Sequence, residues 1–174
     1  TGPNSGNTRA TLTVNINGGN ISSENGYAIA GSGNAAEATT INITSGNVSS
    51  TNDVAIYHPQ KGTLNISGGT ISGKQGVQMC SGALSVSGST EITATGTDDR
   101  ATKTGDGSIP DGAAISLVNR SYPGGAPTAT ISGGTMTSNG TDVVKAYTWA
   151  SNASSDWADP NFAVTGGTFS DVSV

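Results

Sequence analysis

The segment TLNISGGTIS, residues 63–72, decides the fold because its pattern recurs along the chain. Apolar residues alternate with polar ones up to a Ser-Gly-Gly corner, and another apolar residue follows that corner. Alternation with a period of two predicts a β-strand, and adjacent small residues predict a tight turn. Copies of the phrase begin near residues 13, 40, 63, 83, 128 and 161. The chain is therefore predicted to consist of repeats.

The apolar positions of the copies align in columns, two before the corner and one after it. The first two columns are Val14/Ile16, Ile41/Ile43, Leu64/Ile66, Leu84/Val86, Ala129/Ile131 and Phe162/Val164; the third is Ile21, Val48, Ile71, Ile92, Met136 and Phe169. Parallel pairing between copies stacks like side chains on like, and β-branched residues suit such walls. All three columns are predicted to face a thin shared interior.

A third apolar element follows the corner in most copies. It reads GYAIA at 26–30, DVAIY at 53–57, GVQMC at 76–80, GAAIS at 112–116 and DVVKA at 142–146. Lys145 interrupts the column that Ile29, Ile56, Met79 and Ile115 would form. Either the register shifts so that Val144 and Ala146 face inward, or Lys145 reaches the rim with its ammonium group.

Three short strands per coil, stacked in about six coils, predict an all-β parallel β-helix. We expect one domain over residues 1–174, with long loop insertions at 93–112 and 146–160, as a fragment of a longer extracellular protein.

Composition agrees with a thin core. Of 174 residues only 33% are hydrophobic and 11% charged, and the 26 glycines fall at repeating corners. A net charge of −5 disfavours nucleic acid as a partner, and no apolar run is long enough for membrane insertion. Cys80 is predicted to fill core space, and His58 to lie in a surface turn.

The phrases GGTIS, SGGTIS with a downstream G-x-A-I, and TGGTFSDVS resemble repeats of large surface or secreted proteins of gut Firmicutes, within the pectate-lyase-like right-handed parallel β-helix group. The likeness runs from Thr11 through nearly the whole chain. The resemblance implies a right-handed parallel β-helix and a location outside the cell or on the bacterial cell surface. The implied partners are a glycan or polysaccharide surface, or other domains of the same parent protein.

An acidic insertion is the candidate cation site. It carries Asp98, Asp99, Asp106 and Asp111 with two Asp-Gly pairs. Ca²⁺ takes six to eight oxygen ligands in a flexible cage, so this loop is a candidate calcium site, although its spacing does not match an EF-hand. The alternative is a solvated loop with Asp-Gly turns.

An aromatic insertion is the candidate carbohydrate site. Tyr147, Trp149 and Trp157 could stack on sugar rings, while Asn152 and Asp156 could bond hydroxyl groups. The alternative is that these rings cover the open end of the repeat stack, where an edge strand and an apolar layer need protection.

The sequence favours a non-catalytic extracellular module that acts as an adhesin, a stalk or a carbohydrate-contacting domain. The alternative is a polysaccharide-active enzyme, either a lyase or a glycoside hydrolase, but no catalytic constellation converges in a motif. A minor alternative is an ice-binding surface on the outward Thr13, Thr40, Thr63 and Thr128 column, which Ala83 and Asn161 interrupt.

Overall fold

The computed structural model describes residues 11–33, 37–97, 107–140 and 142–170. Fourteen strands occur in these ranges: β1 (Leu12–Ser23), β2 (Ile29–Ala30), β3 (Thr39–Ser50), β4 (Val54–His58), β5 (Gly62–Ile66), β6 (Thr70–Gly73), β7 (Gln75–Met79), β8 (Ala83–Val86), β9 (Glu91–Ala94), β10 (Ile115–Asn119), β11 (Thr128–Ser138), β12 (Val144–Ala150), β13 (Ala153–Asp156) and β14 (Phe162–Phe169). The same ranges contain no helix long and apolar enough to cross a membrane.

The strands form two sheets. Sheet A has eight strands, all parallel, in the order β1-β3-β5-β8-β11-β9-β6, with β14 added beside β11 and a further pairing of β3 with β6. Sheet B has six strands in the order β13-β12-β10-β7-β4-β2 and is mixed, because β13 runs antiparallel to β12. The two sheets enclose one apolar interior in a sandwich-like arrangement that does not close into a barrel.

The repeat copies pair in the register that their alignment gives. Successive partners in one column are Val14, Ile41, Leu64, Leu84, Ala129 and Phe162, each opposite the next. The apolar side chains of sheet A therefore lie layer on layer, and Ile43, Ile66 and Ile131 are at most 1% exposed.

The predicted right-handed parallel β-helix with three short strands per coil is wrong. The Gly-containing corner does not turn the chain into a new wall. In β1, β3, β11 and β14 the strand continues through it as a bulge, with register shifts beside Ile16 and Asn17 in one pair and beside Ile131 and Ser132 in another. Positive φ angles at glycines such as Gly46 and Gly134 absorb the extra residues, so hydrogen bonding resumes in the same sheet.

The interior lies between the sheets. Ile43, Ile66 and Ile71 of sheet A and Ile56 and Val77 of sheet B belong to one buried cluster. Thus the predicted apolar columns form the core, although two walls supply them instead of three. Val164 is the exception, since it is 48% exposed on the edge strand β14.

Of the two alternatives at Lys145, the structure shows the register shift. Val144 pairs with Ile115 and Ala146 with Leu117, and both Val144 and Ala146 pack against the interior cluster. Lys145 therefore faces the opposite side of sheet B, where it is 9% exposed. Because a lysine is seldom buried without partners, this outer side of sheet B must itself be covered.

Outward polar side chains of sheet A form short ladders. The Nδ2 of Asn42 donates to Oδ1 of Asn15 at 2.8 Å, and the Nδ2 of Asn65 donates to Oδ1 of Asn42 at 2.8 Å. Thr44 donates to Asn17 at 2.8 Å in the neighbouring column. These bonds tie adjacent repeats together on the face that water reaches.

Candidate functional site

The outer face of sheet B carries a second buried cluster, which is the candidate site. Its apolar members are Tyr57, Cys80, Ile109, Val118, Tyr147 and Trp149. We call residues 107–113 the strap, because this segment crosses the outer face and every residue in it except Pro110 is buried. The strap belongs to the insertion that the sequence predicted to be a surface loop.

Two glutamines of β7 hold the strap by its backbone. The Oε1 of Gln78 accepts from the Ile109 N–H at 2.9 Å, while its Nε2 donates to the Ile109 carbonyl at 2.6 Å. Gln75 accepts from the Asp111 N–H at 3.4 Å and donates to the Ser116 hydroxyl at 2.7 Å. A primary amide has the same donor and acceptor as a backbone peptide, so Gln78 binds the strap much as a neighbouring strand would.

The Asp111 carboxyl is the centre of the polar contacts. Its Oδ2 accepts from the Ser116 hydroxyl at 2.6 Å and from the Tyr147 hydroxyl at 2.8 Å. Its Oδ1 accepts from the Ala113 N–H at 3.0 Å. With 1% exposure, Asp111 is satisfied by the protein alone.

Strand β12 closes the cluster from the side. The Lys145 ammonium donates to the Asp111 carbonyl at 2.7 Å and lies 3.9 Å from the Asp142 carboxylate. Lys145 and Tyr147 alternate with Val144 and Ala146, so one strand serves both the interior and the outer cluster. Lys145, which interrupts the predicted apolar column, therefore binds the strap through the Asp111 carbonyl.

Burial raises the pKa of Asp111, and the hydrogen bonds from Ser116, Ala113 and Tyr147, with the charge on Lys145, oppose that rise only in part. Loss of hydration disfavours the charged carboxylate in the folded state. A folded protein that binds the proton more tightly than the unfolded chain becomes less stable as pH rises from the unfolded pKa of about 3.9 to the raised value.

Asp111→Asn is therefore expected to remove a fall in stability with rising pH. Asn cannot ionise, and its amide can still accept from Ala113 and donate to the Ser116 and Tyr147 hydroxyl groups. Urea unfolding of both proteins from about pH 4 to pH 8 measures the effect, with the wild type losing stability relative to Asn as pH increases. Parallel pH profiles for the two proteins would contradict the assignment.

Next to the strap lies a cluster of tyrosines and one arginine. The rings of Tyr27 and Tyr57 stack with centroids 4.9 Å apart, and the hydroxyl groups of Tyr57 and Tyr122 are 3.2 Å apart. The Arg120 guanidinium lies 5.2 Å from the centroid of the Tyr122 ring and donates to the Gly107 carbonyl and to the Tyr57 hydroxyl. Tyr27, Tyr122 and Arg120 are only partly buried, so this cluster meets solvent.

Cys80 and His58 are both buried. Cys80 is buried in the outer cluster, as expected for a small apolar side chain, and burial raises the pKa of its thiol to about 12. The prediction of a surface turn for His58 is wrong, because it ends β4 with no exposed area. Its Nδ1 lies 3.2 Å from the Ser81 carbonyl, and burial lowers the pKa of the ring, which favours the neutral form.

Three of the four candidate calcium residues lie outside the part of the chain that the structure describes. Asp98, Asp99 and Asp106 lie outside the described residues, while Asp111 uses both carboxyl oxygens within the protein. Among residues 11–33, 37–97, 107–140 and 142–170, no three His, Cys, Asp or Glu side chains are grouped to hold a metal ion. Calcium binding by the acidic insertion stays a prediction.

The candidate carbohydrate residues separate into buried and exposed sets. Tyr147 has no exposed area and Trp149 is 6% exposed, both in the outer cluster. Trp157 is partly buried against the interior. Asn152 and Asp156 are exposed on the β12–β13 hairpin, whose two turn residues, Ser151 and Asn152, have positive φ.

Sequence reasoning missed the partners of Asp111 and the tyrosine cluster. Gln78 lies between the inward residues Val77 and Met79 of β7, which indicated a polar outer face but not what covers it. Tyr27 and Tyr122 are far apart in sequence, and each of them contacts Tyr57 only in the folded chain. No family model matches the chain, and no match was found among curated proteins or solved structures.

Proposed function

We propose that the chain is a non-catalytic module of a bacterial surface or secreted protein, acting outside the cell as a rigid stalk or adhesin. The observation that carries this proposal is the continuous pairing in sheet A, in which each repeat phrase pairs with the next from β1 to β14. Repeat proteins of this kind gain stability from each neighbouring contact. Such a stack holds its first and last phrases at opposite edges, as a spacer requires.

Several contacts support stiffness along the stack. The ladder from Asn15 through Asn42 to Asn65 adds side-chain bonds to the backbone pairing. On the other side, the strap spans sheet B from Gln75 and Gln78 of β7 to Lys145 and Tyr147 of β12. Both sheets are therefore bound across their strands by side chains as well as by backbone.

Carbohydrate contact is the second candidate role, and the tyrosine cluster favours it. Tyr122 is a partly exposed ring with a guanidinium group beside it, and sugar rings offer C–H faces to aromatic rings and hydroxyl groups to Arg120. The buried Tyr147 and Trp149 do not present a face to a ligand, whereas Asn152 and Asp156 do present polar groups.

A polysaccharide pull-down tests the carbohydrate role. If a polysaccharide retains the wild type, Tyr122→Ala is expected to weaken that retention about tenfold, equivalent to about 1.4 kcal/mol. The thermal midpoint is expected to fall only modestly, because Tyr122 is partly buried against the outer cluster. Tyr147→Phe is the matched control, because it removes a buried hydroxyl group and leaves the partly exposed ring of Tyr122 in place. Equal loss of retention and of thermal stability in both variants would contradict a direct contact.

The same polysaccharides test the absence of catalysis. Incubation with pectin, mucin and other glycans, with and without added calcium, is expected to release neither reducing nor unsaturated sugar ends. Release that depends on the chain would overturn the proposal and favour the polysaccharide-active alternative. Unchanged glycans with no retention would leave the stalk as the role that the register of sheet A supports.

A further inference from the structure

Among the residues that the structure describes, nothing pairs with the outer edge of sheet A at β1. Within the described residues, β1 pairs with β3 along one side and with no strand along the other. A groove of about 430 Å³ lies at this end of the interior, and Leu12, Val14, Ile16 and Ile29 contribute to its lining. Leu12 is 38% exposed. No described repeat phrase covers the apolar layer at this end.

The opposite edge of sheet A, at β14, projects large side chains. Of the residues that the structure describes, Leu12 and Val164 are the exposed large hydrophobic ones, and Val164 is 48% exposed. Phe162 and Phe169 of β14 are partly buried against the interior at this end. One end thus has an apolar groove, and the other has bulky apolar side chains.

Both edges carry the same phrase in the same register. The column that begins at Val14 ends at Phe162, and the column that begins at Ile16 ends at Val164. If β14 of one molecule paired in parallel with β1 of another, Phe162 would lie opposite Val14 and Val164 opposite Ile16. This arrangement repeats the pairing that already joins every neighbouring pair of copies in the chain.

We propose that a second copy of this chain occupies the groove, with its β14 paired to the open edge of β1. The contact is head-to-tail, so each molecule uses a different edge and chains of molecules form. It would bury Leu12 and Val164, which are otherwise in water. The proposal concerns self-association and goes beyond the stalk or carbohydrate role proposed above.

Sheet B limits the contact to sheet A. Its edge at the β14 end is the antiparallel strand β13, and all of Ala153–Asp156 are exposed. A short polar edge strand discourages further pairing. Since only one sheet can continue from molecule to molecule, we expect association that is reversible and dependent on concentration.

Sedimentation velocity over a series of protein concentrations tests the proposal. The wild type is expected to form dimers and longer oligomers, while Val164→Lys and Leu12→Glu are each expected to be monomeric. A mixture of the two variants should form a 1:1 dimer, because the Leu12 variant retains its β14 edge and the Val164 variant retains its β1 edge. Both side chains are exposed, so the thermal midpoints of the variants should match that of the wild type at concentrations at which the wild type is monomeric.

The other outcomes of this experiment overturn the proposal. A monomeric wild type would exclude the contact, and oligomers of Val164→Lys would place it elsewhere. A mixture that fails to dimerise would exclude the head-to-tail arrangement. The concentration series on the wild type decides the matter even if a variant fails to fold.

Engineered cysteines test the register independently. Asn15 and Ala163 are exposed residues that lie opposite each other in the proposed pair, about 4.8 Å apart, which suits a disulfide with Cα atoms about 4.4–6.8 Å apart. The double variant Asn15→Cys, Ala163→Cys is expected to give a covalent ladder on a non-reducing gel after oxidation. The control Asn15→Cys, Asn161→Cys is offset by two residues, about 8 Å, and should crosslink at least tenfold less. Equal crosslinking, or none with either pair, would overturn the register.

Discussion

Replacing Ile66 by aspartate is expected to abolish cooperative folding. Ile66 is 1% exposed and lies between Ile43 and Val86 in the neighbouring strands, so the carboxylate would be unpaired among three apolar layers. Burying an unpaired charge costs more than about 4 kcal/mol, which is comparable to the whole stability of many domains, about 5–15 kcal/mol. Circular dichroism and urea unfolding of the variant measure this loss.

Ser85→Asp is the matched control for that substitution. Ser85 lies on the next strand and its side chain is exposed, so the same carboxylate would remain in water. Its effect on the free energy of unfolding is expected to stay within about 0.5 kcal/mol. A thermal midpoint of Ile66→Asp close to that of Ser85→Asp would contradict the layered interior.

Replacing Gly62 by alanine is expected to destabilise the protein by about 3 kcal/mol or more. Gly62 has a φ of +118°, and an added Cβ would lie 2.0 Å from the Thr39 carbonyl oxygen and 2.5 Å from the Thr39 nitrogen. Because both atoms belong to the backbone, β3 and β5 would have to separate at the point where Thr39 pairs with Gly62. Urea unfolding of the variant gives the cost.

Gly19→Ala separates backbone strain from close approach. Gly19 also has a positive φ, +82°, but an added Cβ there would have nothing within 4 Å. Its expected cost is the conformational strain alone, about 1–2 kcal/mol. If Gly19→Ala and Gly62→Ala were equally destabilising, the tight contact with Thr39 would have no energetic role.

The local pattern predicted the strands and their partners well. Alternating apolar residues placed Ile41, Ile43 and Leu64 in the interior, and the aligned phrases gave the pairing of each copy with the next. It also offered the correct choice at Lys145, because Val144 and Ala146 fit the apolar column when the register moves by one. Such patterns depend only on a side-chain period of two and on the need to bury apolar area.

The alternation of apolar and polar residues did not predict which sheet each segment joins. A pair of small residues can turn a strand into a new wall or form a bulge within a continuous one, and both leave the same apolar alternation. Register shifts around Asn17 and Ser132 show that bulges occur here. The expected three-walled coil is replaced by two sheets for this reason.

The candidate site depended still more on distant contacts. In the sequence Asp111 is one carboxylate of an acidic loop, but in the structure it belongs to the strap and accepts hydrogen bonds from Ser116 and Tyr147. The sequence left Tyr147 and Trp149 as either a surface for sugars or a cover for the end of the repeat stack, and in the structure they are buried in the outer cluster of sheet B. The sequence marked these residues as unusual without indicating their partners.

By itself, the sequence determined that repeated phrases pair in parallel and which of their side chains face inward, because both follow from a local period and from burial. Tertiary structure alone decided that two sheets enclose the core and that residues 107–113 cover the outer face of sheet B. Those features depend on hydrogen bonds between residues far apart in the chain, such as Gln78 with Ile109 and Lys145 with Asp111, which no local pattern encodes.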